Sequence, residues 1–313
     1  MSISIPPDED RFTGRECPVK ECEGYFKIEN GTGLTGENLP CHCPYCGNSD
    51  SPDKFFTKEQ LEYATSVAIN ETTGAFLRDL KELEFEIKPR GMFGIGVSLK
   101  VSGNPEPIHY YREKNLETEI VCDRCTLRYA IYGVFAFCPD CGAHNSLQIL
   151  QKNLDLCLKE LDWATQLDRV QSDRLIGDAL ENAVSSFDGF GRETCRIAAI
   201  ASGSLAKIDR LSFQNLSVAR ERVKSIFDFD FGKTVSEREW ELACRCFQKR
   251  HLLAHKMGVV DDAYMNSTND PFSQVGRKVS ISADEVKALI QALRELGVCS
   301  FNILPAPPEK SGE

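Results

Sequence analysis

Cys122-Asp123-Arg124-Cys125 and Cys138-Pro139-Asp140-Cys141-Gly142 bracket the segment TLRYAIYGVFAF at residues 126–137. A Cys-x-x-Cys pair folds into a tight knuckle that aims two thiolates at one point. Two facing knuckles make a tetrahedral zinc site. The β-branched and aromatic residues between them predict a short hairpin that brings the knuckles together. A similar arrangement comes earlier in the chain: Cys17-Pro-Val-Lys-Glu-Cys22, then Cys41-His42-Cys43-Pro44-Tyr45-Cys46-Gly47. There Cys17 and Cys22 stand further apart, and Cys43 and Cys46 form the knuckle. Cys41 and His42 are left over, or one of them takes a ligand place.

The eight residues Cys17, Cys22, Cys43, Cys46, Cys122, Cys125, Cys138 and Cys141 resemble the ligand sets of zinc ribbons, which implies two structural Zn2+ ions. Four thiolates leave no open coordination position, so catalysis is not expected at the metals. A small β unit buries little core, and zinc supplies roughly 10–16 kcal/mol of apparent binding energy instead. Of the 14 cysteines, nine lie in residues 1–146. The first ten residues show no basic stretch followed by an apolar one, so no export signal is expected. The expected compartment is the cytoplasm, where metal outranks disulfide.

Charge and hydropathy narrow the classes further. The longest apolar run, Ala130 to Phe137, is far short of the ~18 residues of a membrane span, so no membrane partner is expected. The net charge is −10, and residues 1–146 hold 15 basic against 23 acidic side chains. That excludes a protein that coats nucleic acid by bulk attraction, though not an enzyme that touches a few phosphates. For the acidic ribbons, protein contacts or scaffolding are the expected roles.

Between the ribbons, Thr57-Lys-Glu-Gln60 is a capping box. It opens a helix with Leu61, Ala64, Ala68, Phe76, Leu77, Leu80 and Leu83 at helical spacing and Gly74 as a weak point. Residues 91–121 suggest strands. Gly91, Gly94 and Gly96 open no helix and are not a dinucleotide loop. His109 is isolated, a surface or core-edge residue. From Leu147 the period changes to about 3.6. Leu147, Leu150, Leu154, Cys157, Leu158, Leu161 and Ala164 form one apolar stripe, and Ile176, Ala179, Leu180, Ala183, Val184 and Phe187 a second. After a break at Gly189 and Gly191, residues 192–202 resume a helix, and 215–228 form another. Ser236-Glu-Arg-Glu239 and Ser282-Ala-Asp-Glu285 are capping boxes opening two more. Cys157 and Cys244 sit on apolar stripes as buried hydrophobes. The expected fold class is α+β multidomain: a zinc-ribbon and β region, then an all-α bundle. Its divisions are 1–53 (first ribbon), 54–146 (helix, strands, second ribbon), 147–304 (helical domain) and 305–313 (disordered tail).

One helical segment carries chemistry: Gln248-Lys249-Arg250-His251-Leu252-Leu253-Ala254-His255-Lys256. His251 and His255 share a helix face. A metalloprotease needs Glu directly after the first histidine; here that place is Leu252. A basic helix end that favours the dipole is the plain alternative. Arg250, four residues, then His255 is similar to the R-x4-H motif of HEPN ribonucleases. The polar His251 follows the arginine, and Gly258-Val-Val-Asp261, Tyr264, Asp270, the segment Gly276–Ile281 and a last helix come after. Residues 236–298 thus resemble the C-terminal part of a HEPN domain.

The resemblance implies an endoribonuclease that needs no metal for catalysis and leaves a 2′,3′-cyclic phosphate and a 5′-OH. Histidine titrates near neutrality and arginine offers a planar fork to phosphate. His255 is accordingly the acid or base, Arg250 the phosphate binder, and His251 a supporting residue. Positions five apart on a helix lie about 140° apart, and HEPN domains pair two motifs across a dimer. An RNA substrate and a homodimer are therefore expected, with a protein trigger or inhibitor and a role as toxin, antiviral effector or RNA processor. Glu181, Asp188 and Glu193 are candidate acidic partners that spacing does not separate. A non-catalytic HEPN-like binding module with interaction ribbons is the alternative.

Overall fold

Phe12–Glu16 (β1) and Tyr25–Glu29 (β2) pair antiparallel, with Phe12 opposite Glu29 and Glu16 opposite Tyr25. The short strands Cys41–His42 (β3) and Ser49–Asp50 (β4) form a separate pair. A helix, Lys58–Glu82 (α1), leads to the pair Phe85–Ile87 (β5) and Val97–Leu99 (β6). Thr118–Val121 (β7) and Arg128–Ile131 (β8) then complete a four-stranded antiparallel sheet in the order β1-β2-β8-β7. The computed structural model describes residues 3–33, 40–87, 97–268 and 270–304. The chain divides into two compact units, Met1–Ala143 and His144–Glu313.

One sheet spans both cysteine-bearing segments of the first unit, so the two ribbons share a core of Phe26, Tyr129, Ile131 and Phe55. The expected hairpin within residues 126–137 is replaced by another. The Cys122–Cys125 knuckle is itself the turn that folds β8 back on β7, and residues 132–137 are not strand. Thr126 N–H donates to the Cys122 carbonyl and Cys122 N–H to that of Leu127.

The capping box of α1 forms as read: Gln60 N–H donates to the Thr57 hydroxyl, and the Gln60 side chain accepts from Thr57 N–H. Its apolar positions do not form the packed face, however. Leu61, Phe76 and Leu83 are exposed, while Gln60, Ser66 and Gly74 are buried. Polar contacts explain this. Gln60 Nε2 donates to the Gly14 carbonyl at 2.8 Å, and the Ser66 hydroxyl accepts from His109 N–H at 2.9 Å. His109 itself is exposed, and residues 100–117 run along without strand structure. The glycines at 91, 94 and 96 and the tail at 305–313 lie outside the described residues.

The second unit is helical: Ser146–Ala164 (α2), Arg169–Ala201 (α3), Leu216–Phe227 (α4), Glu237–Lys256 (α5), Asp262–Thr268 (α6) and Ala283–Phe301 (α7). The fold is thus α+β, a β-rich region with cysteine clusters followed by a helical unit. The stripes of α2 and α3 meet Val286, Leu289, Leu293 and Leu296 of α7 and Ala243, Cys246 and Phe247 of α5 in one core. Cys157 is buried there, whereas Cys244 is only half-buried and shares a hydrogen bond with the Ser217 hydroxyl. Cys246 takes the buried place instead.

The expected break at Gly189 and Gly191 is absent: α3 runs through both. Gly191 faces the Phe213 ring, where a Cβ would sit 2.7 Å from three ring carbons; a Cβ on Gly189 meets nothing within 4 Å. The two glycines therefore separate by experiment. Gly189→Ala gains about 1 kcal/mol of stability from helix propensity. Gly191→Ala loses about 1–3 kcal/mol from overpacking. Urea unfolding of the full chain, followed by far-ultraviolet circular dichroism, checks the opposite signs.

Candidate metal centres and the end of helix α5

Each cysteine group draws one pair from a hairpin turn and one from a later knuckle. Cys17 and Cys22 lie in the β1–β2 turn, where Cys17 N–H donates to the Gly24 carbonyl and Cys22 N–H to that of Val19. Cys43 and Cys46 come from the segment after β3. Gly47 and Gly142 close the two late knuckles at φ 73° and 66°, donating N–H to the Cys43 and Cys138 carbonyls at 3.0 Å. That backbone conformation favours glycine, which is the reason a Gly follows each late knuckle; after Cys122-x-x-Cys125 the same place is taken by Thr126 at φ 65°.

The ligand atoms of Cys17, Cys22, Cys43 and Cys46 lie within 4.8 Å of one another, as do those of Cys122, Cys125, Cys138 and Cys141. Sulfur separations are 3.6 Å for Cys17–Cys46, 3.7 Å for Cys22–Cys43, 3.7 Å for Cys122–Cys141 and 3.5 Å for Cys125–Cys138. A disulfide needs about 2.05 Å. A tetrahedron with Zn–S near 2.3 Å has edges of about 3.8 Å. Both groups therefore fit a zinc ion and not a disulfide.

Cys41 and His42 do other work. His42 N–H donates to the Pro139 carbonyl at 2.8 Å, and its ring lies over Gly142 of the other cluster. Cys41 is buried, and burial pushes its thiol up to about 12 against the pull of Arg15. It stays a neutral, apolar side chain.

In the helical unit, the sequence motif falls on the last turns of α5. Ser236 and Glu239 form the expected capping box at its start. At Ser282 only half a box forms: Glu285 N–H donates to the Ser282 hydroxyl, but the Glu285 carboxylate goes elsewhere. It accepts from the buried Lys249 ammonium at 2.8 and 2.9 Å, with Arg245 at 3.6 Å. Lys249 also donates to the Ser280 carbonyl at 2.8 Å. These bonds fasten the end of α5 to α7.

Beyond Lys249, Arg250 is half-buried and its Nε is a buried donor with no partner among the described residues. His251 and His255 are exposed, one turn apart, with ring centroids 4.8 Å apart. The helix stops at Met257 (φ 52°), with Gly258 N–H donating to the Leu252 carbonyl. Residues 258–260 then pair with 276–279 through bonds from Val260 N–H to the Arg277 carbonyl and Val279 N–H to that of Gly258. Asp270 is buried and accepts from the Tyr264 and Ser273 hydroxyls at 2.7 Å, so it braces this segment. Lys256 pairs with Asp261, and that bond holds the Asp261 carboxyl below its usual range.

Two of the three acidic candidates are used elsewhere. Asp188 is buried and accepts from Phe213 N–H at 2.6 Å, with Arg192 at 3.3 Å. Glu193 pairs with Arg196 at 2.7 Å and His144 at 3.4 Å. Glu181 is half-buried. Among the described residues, none of the three is bonded to Arg250, His251 or His255. The sequence reading missed a cleft of about 400 Å³ beside His251, lined by Arg210, Ser212, Gln214, Arg222 and Gln248 among others. No spacing rule joins residues so far apart in the chain.

Two measurements check this geometry. Purified protein is expected to hold two zinc ions per chain; Cys43→Ser and Cys138→Ser each lose one, and Cys41→Ser keeps both. Metal analysis after dialysis reads the count. For Glu193, burial raises the carboxyl's pKa, but the Arg196 and His144 bonds outweigh it and bring it down to about 2 from 4.5. Its contribution to stability is therefore full above about 4.5 and is lost as pH falls through about 2. Glu193→Gln is expected to be less stable than the parent at neutral pH. The gap closes across that acid range in parallel unfolding curves, where any zinc loss is common to both proteins.

Comparison of the chain with family models, with curated proteins and with solved structures returned no match.

Proposed function

We propose that the helical unit is a metal-independent endoribonuclease of the HEPN type, with zinc confined to a structural role in the first unit. The observation that carries the reading is Arg250. Its Nε is buried without an acceptor among the described residues, and an unmet buried donor costs about 1–3 kcal/mol. A phosphate oxygen would satisfy it once the side chain turns toward solvent. An unmet arginine donor of this kind next to a pair of exposed histidines favours a site over a merely basic helix end.

In the proposed reaction the RNA 2′-OH attacks the adjacent phosphorus. The P–O5′ bond breaks, leaving a 2′,3′-cyclic phosphate and a 5′-OH. His255 moves a proton at the attacking or leaving oxygen. Arg250 faces the charge that builds on the non-bridging oxygens. Arg250 is half-buried and His255 exposed, so the two point away from one another as their five-residue spacing requires. A second copy of the chain, set about a two-fold axis at the end of α5, would supply the complementary pair.

Cleavage of single-stranded RNA is expected to persist in EDTA and to spare DNA, which lacks the nucleophile. His255→Ala is expected to lose roughly 10²–10⁴-fold in rate while remaining folded. Arg250→Lys rescues little, because the fork is gone. End-group analysis and circular dichroism of the variants check this. Undiminished cleavage by folded His255→Ala, or a strict need for a divalent ion, overturns the assignment.

A further inference from the structure

A cleft opens beside His251 in the helical unit. It lies between the loop that joins α3 to α4 and the outer face of α5. Its volume of about 400 Å³ is that of a small-ligand pocket. Three of its residues, Arg210, Arg222 and His251, are basic, and Gln214 and Gln248 offer neutral donors. No carboxylate lines it among the described residues, in a chain of net charge −10.

The walls are held in place from below. The buried Asp188 carboxylate accepts from Phe213 N–H at 2.6 Å and from the Ser212 hydroxyl at 3.3 Å, tying the loop to α3. Arg222 Nη1 donates to the Arg210 carbonyl at 2.9 Å, which steadies Arg210 at φ 64°. The Asn215 side chain accepts from Val218 N–H, so α4 starts at the cleft. This is a pre-set array of donors and positive charge with no internal anion to occupy it.

The cleft also has a direction. His251 forms one edge, and its ring is 4.8 Å from that of His255. A chain of phosphates whose scissile member lay at His255 would carry its neighbour into the cleft.

We propose that this cleft is the strand-binding subsite of the ribonuclease, taking a phosphodiester of single-stranded RNA next to the one cleaved. The inference rests on the ribonuclease reading for its substrate, and it changes the role of His251. From a supporting residue of the motif it becomes a wall of the binding cleft. Arg210 and Arg222 clamp the phosphate, and Gln248 and Gln214 face the sugar or base. A free phosphate would share the chemistry but would not need a cleft that leads to His255.

The test uses the full chain and a fluorescein-labelled 2′-O-methyl oligoribonucleotide, whose blocked 2′ oxygen prevents cleavage. Anisotropy titrations at several salt concentrations compare wild type with Arg210→Gln, Gln248→Glu and Lys287→Gln. Lys287 is an exposed cation on α7 outside the cleft. Arg210→Gln is expected to bind about tenfold more weakly, the scale of one charged hydrogen bond. Its slope of log affinity against log salt should fall by about 0.7. Gln248→Glu, which adds a carboxylate to the cleft, weakens binding most at low salt. Lys287→Gln binds as wild type. With cleavable RNA, Arg210→Gln raises KM and leaves kcat unchanged.

Wild-type binding by both cleft variants overturns the proposal, as does an equal loss in Lys287→Gln, the mark of unspecific attraction. Displacement of the oligonucleotide by an equal concentration of inorganic phosphate also overturns it. Weakened binding in the cleft variants alone supports the subsite even if folded His255→Ala still cleaves. That result would remove the catalytic assignment and leave the strand site standing.

Discussion

Four sulfur atoms within 4.8 Å of one another, twice over, set the plan of the first unit. Each group takes two sulfurs from the turn of a hairpin and two from a knuckle far along the chain. A cation bound there fixes a hairpin and a distant loop in one step. The unit needs this constraint because little else is available: its buried side chains are few, and the long face of α1 is held by amides and hydroxyls. Burial pushes the Cys17 thiol up to about 12 when only protons compete for it. Such thiols gain from a cation that replaces their protons. The late knuckles also bond one another, through His42 N–H to the Pro139 carbonyl and Phe137 N–H to that of Pro44. The two clusters are therefore coupled parts of one frame.

The second unit is organised by an apolar core, and two buried charges position its edge. Lys249 meets Glu285 and the Ser280 carbonyl, so both ions are paired and the remaining donor is met. Removing either partner would leave a buried charge uncompensated. Asp188 does the same for the loop before α4. These satisfied charges contrast with Arg250, one residue from Lys249, whose Nε is left without a partner. The satisfied pairs hold the scaffold still, whereas this donor is unmet among the described residues.

Much of this plan was legible in the sequence wherever physics acts over a few residues. Knuckle spacing picked out the eight cysteines, and the stripes of α2 and α3 predicted their buried faces. The capping boxes at Thr57 and Ser236 formed because both partners are local. What failed was decided by distant residues. Glu285 has the spacing of a capping box, but a buried lysine on α5 claims its carboxylate. Gly191 has the look of a helix breaker, yet it is a site of close approach for Phe213. The apolar side chains of α1 have helical spacing, but polar partners on β1 and the segment around His109 select the other face. The cleft was invisible for the same reason: Arg210 and Gln248 meet only after α4 and α5 pack.

Charge distribution gives the ribonuclease reading a physical shape. A chain of net charge −10 gains little from long-range attraction to RNA. Beyond a screening length of about 8 Å, only charges close to the strand matter. Affinity must then come from a few local cations, and Arg210 and Arg222 in the cleft and Arg250 on α5 are the candidates. Few phosphate contacts mean a shallow salt dependence and weak unspecific binding. A nuclease built this way would leave most RNA alone and act where strand shape fits the cleft. An acidic body is then part of the selectivity, because it suppresses the binding that a basic surface would give to any strand.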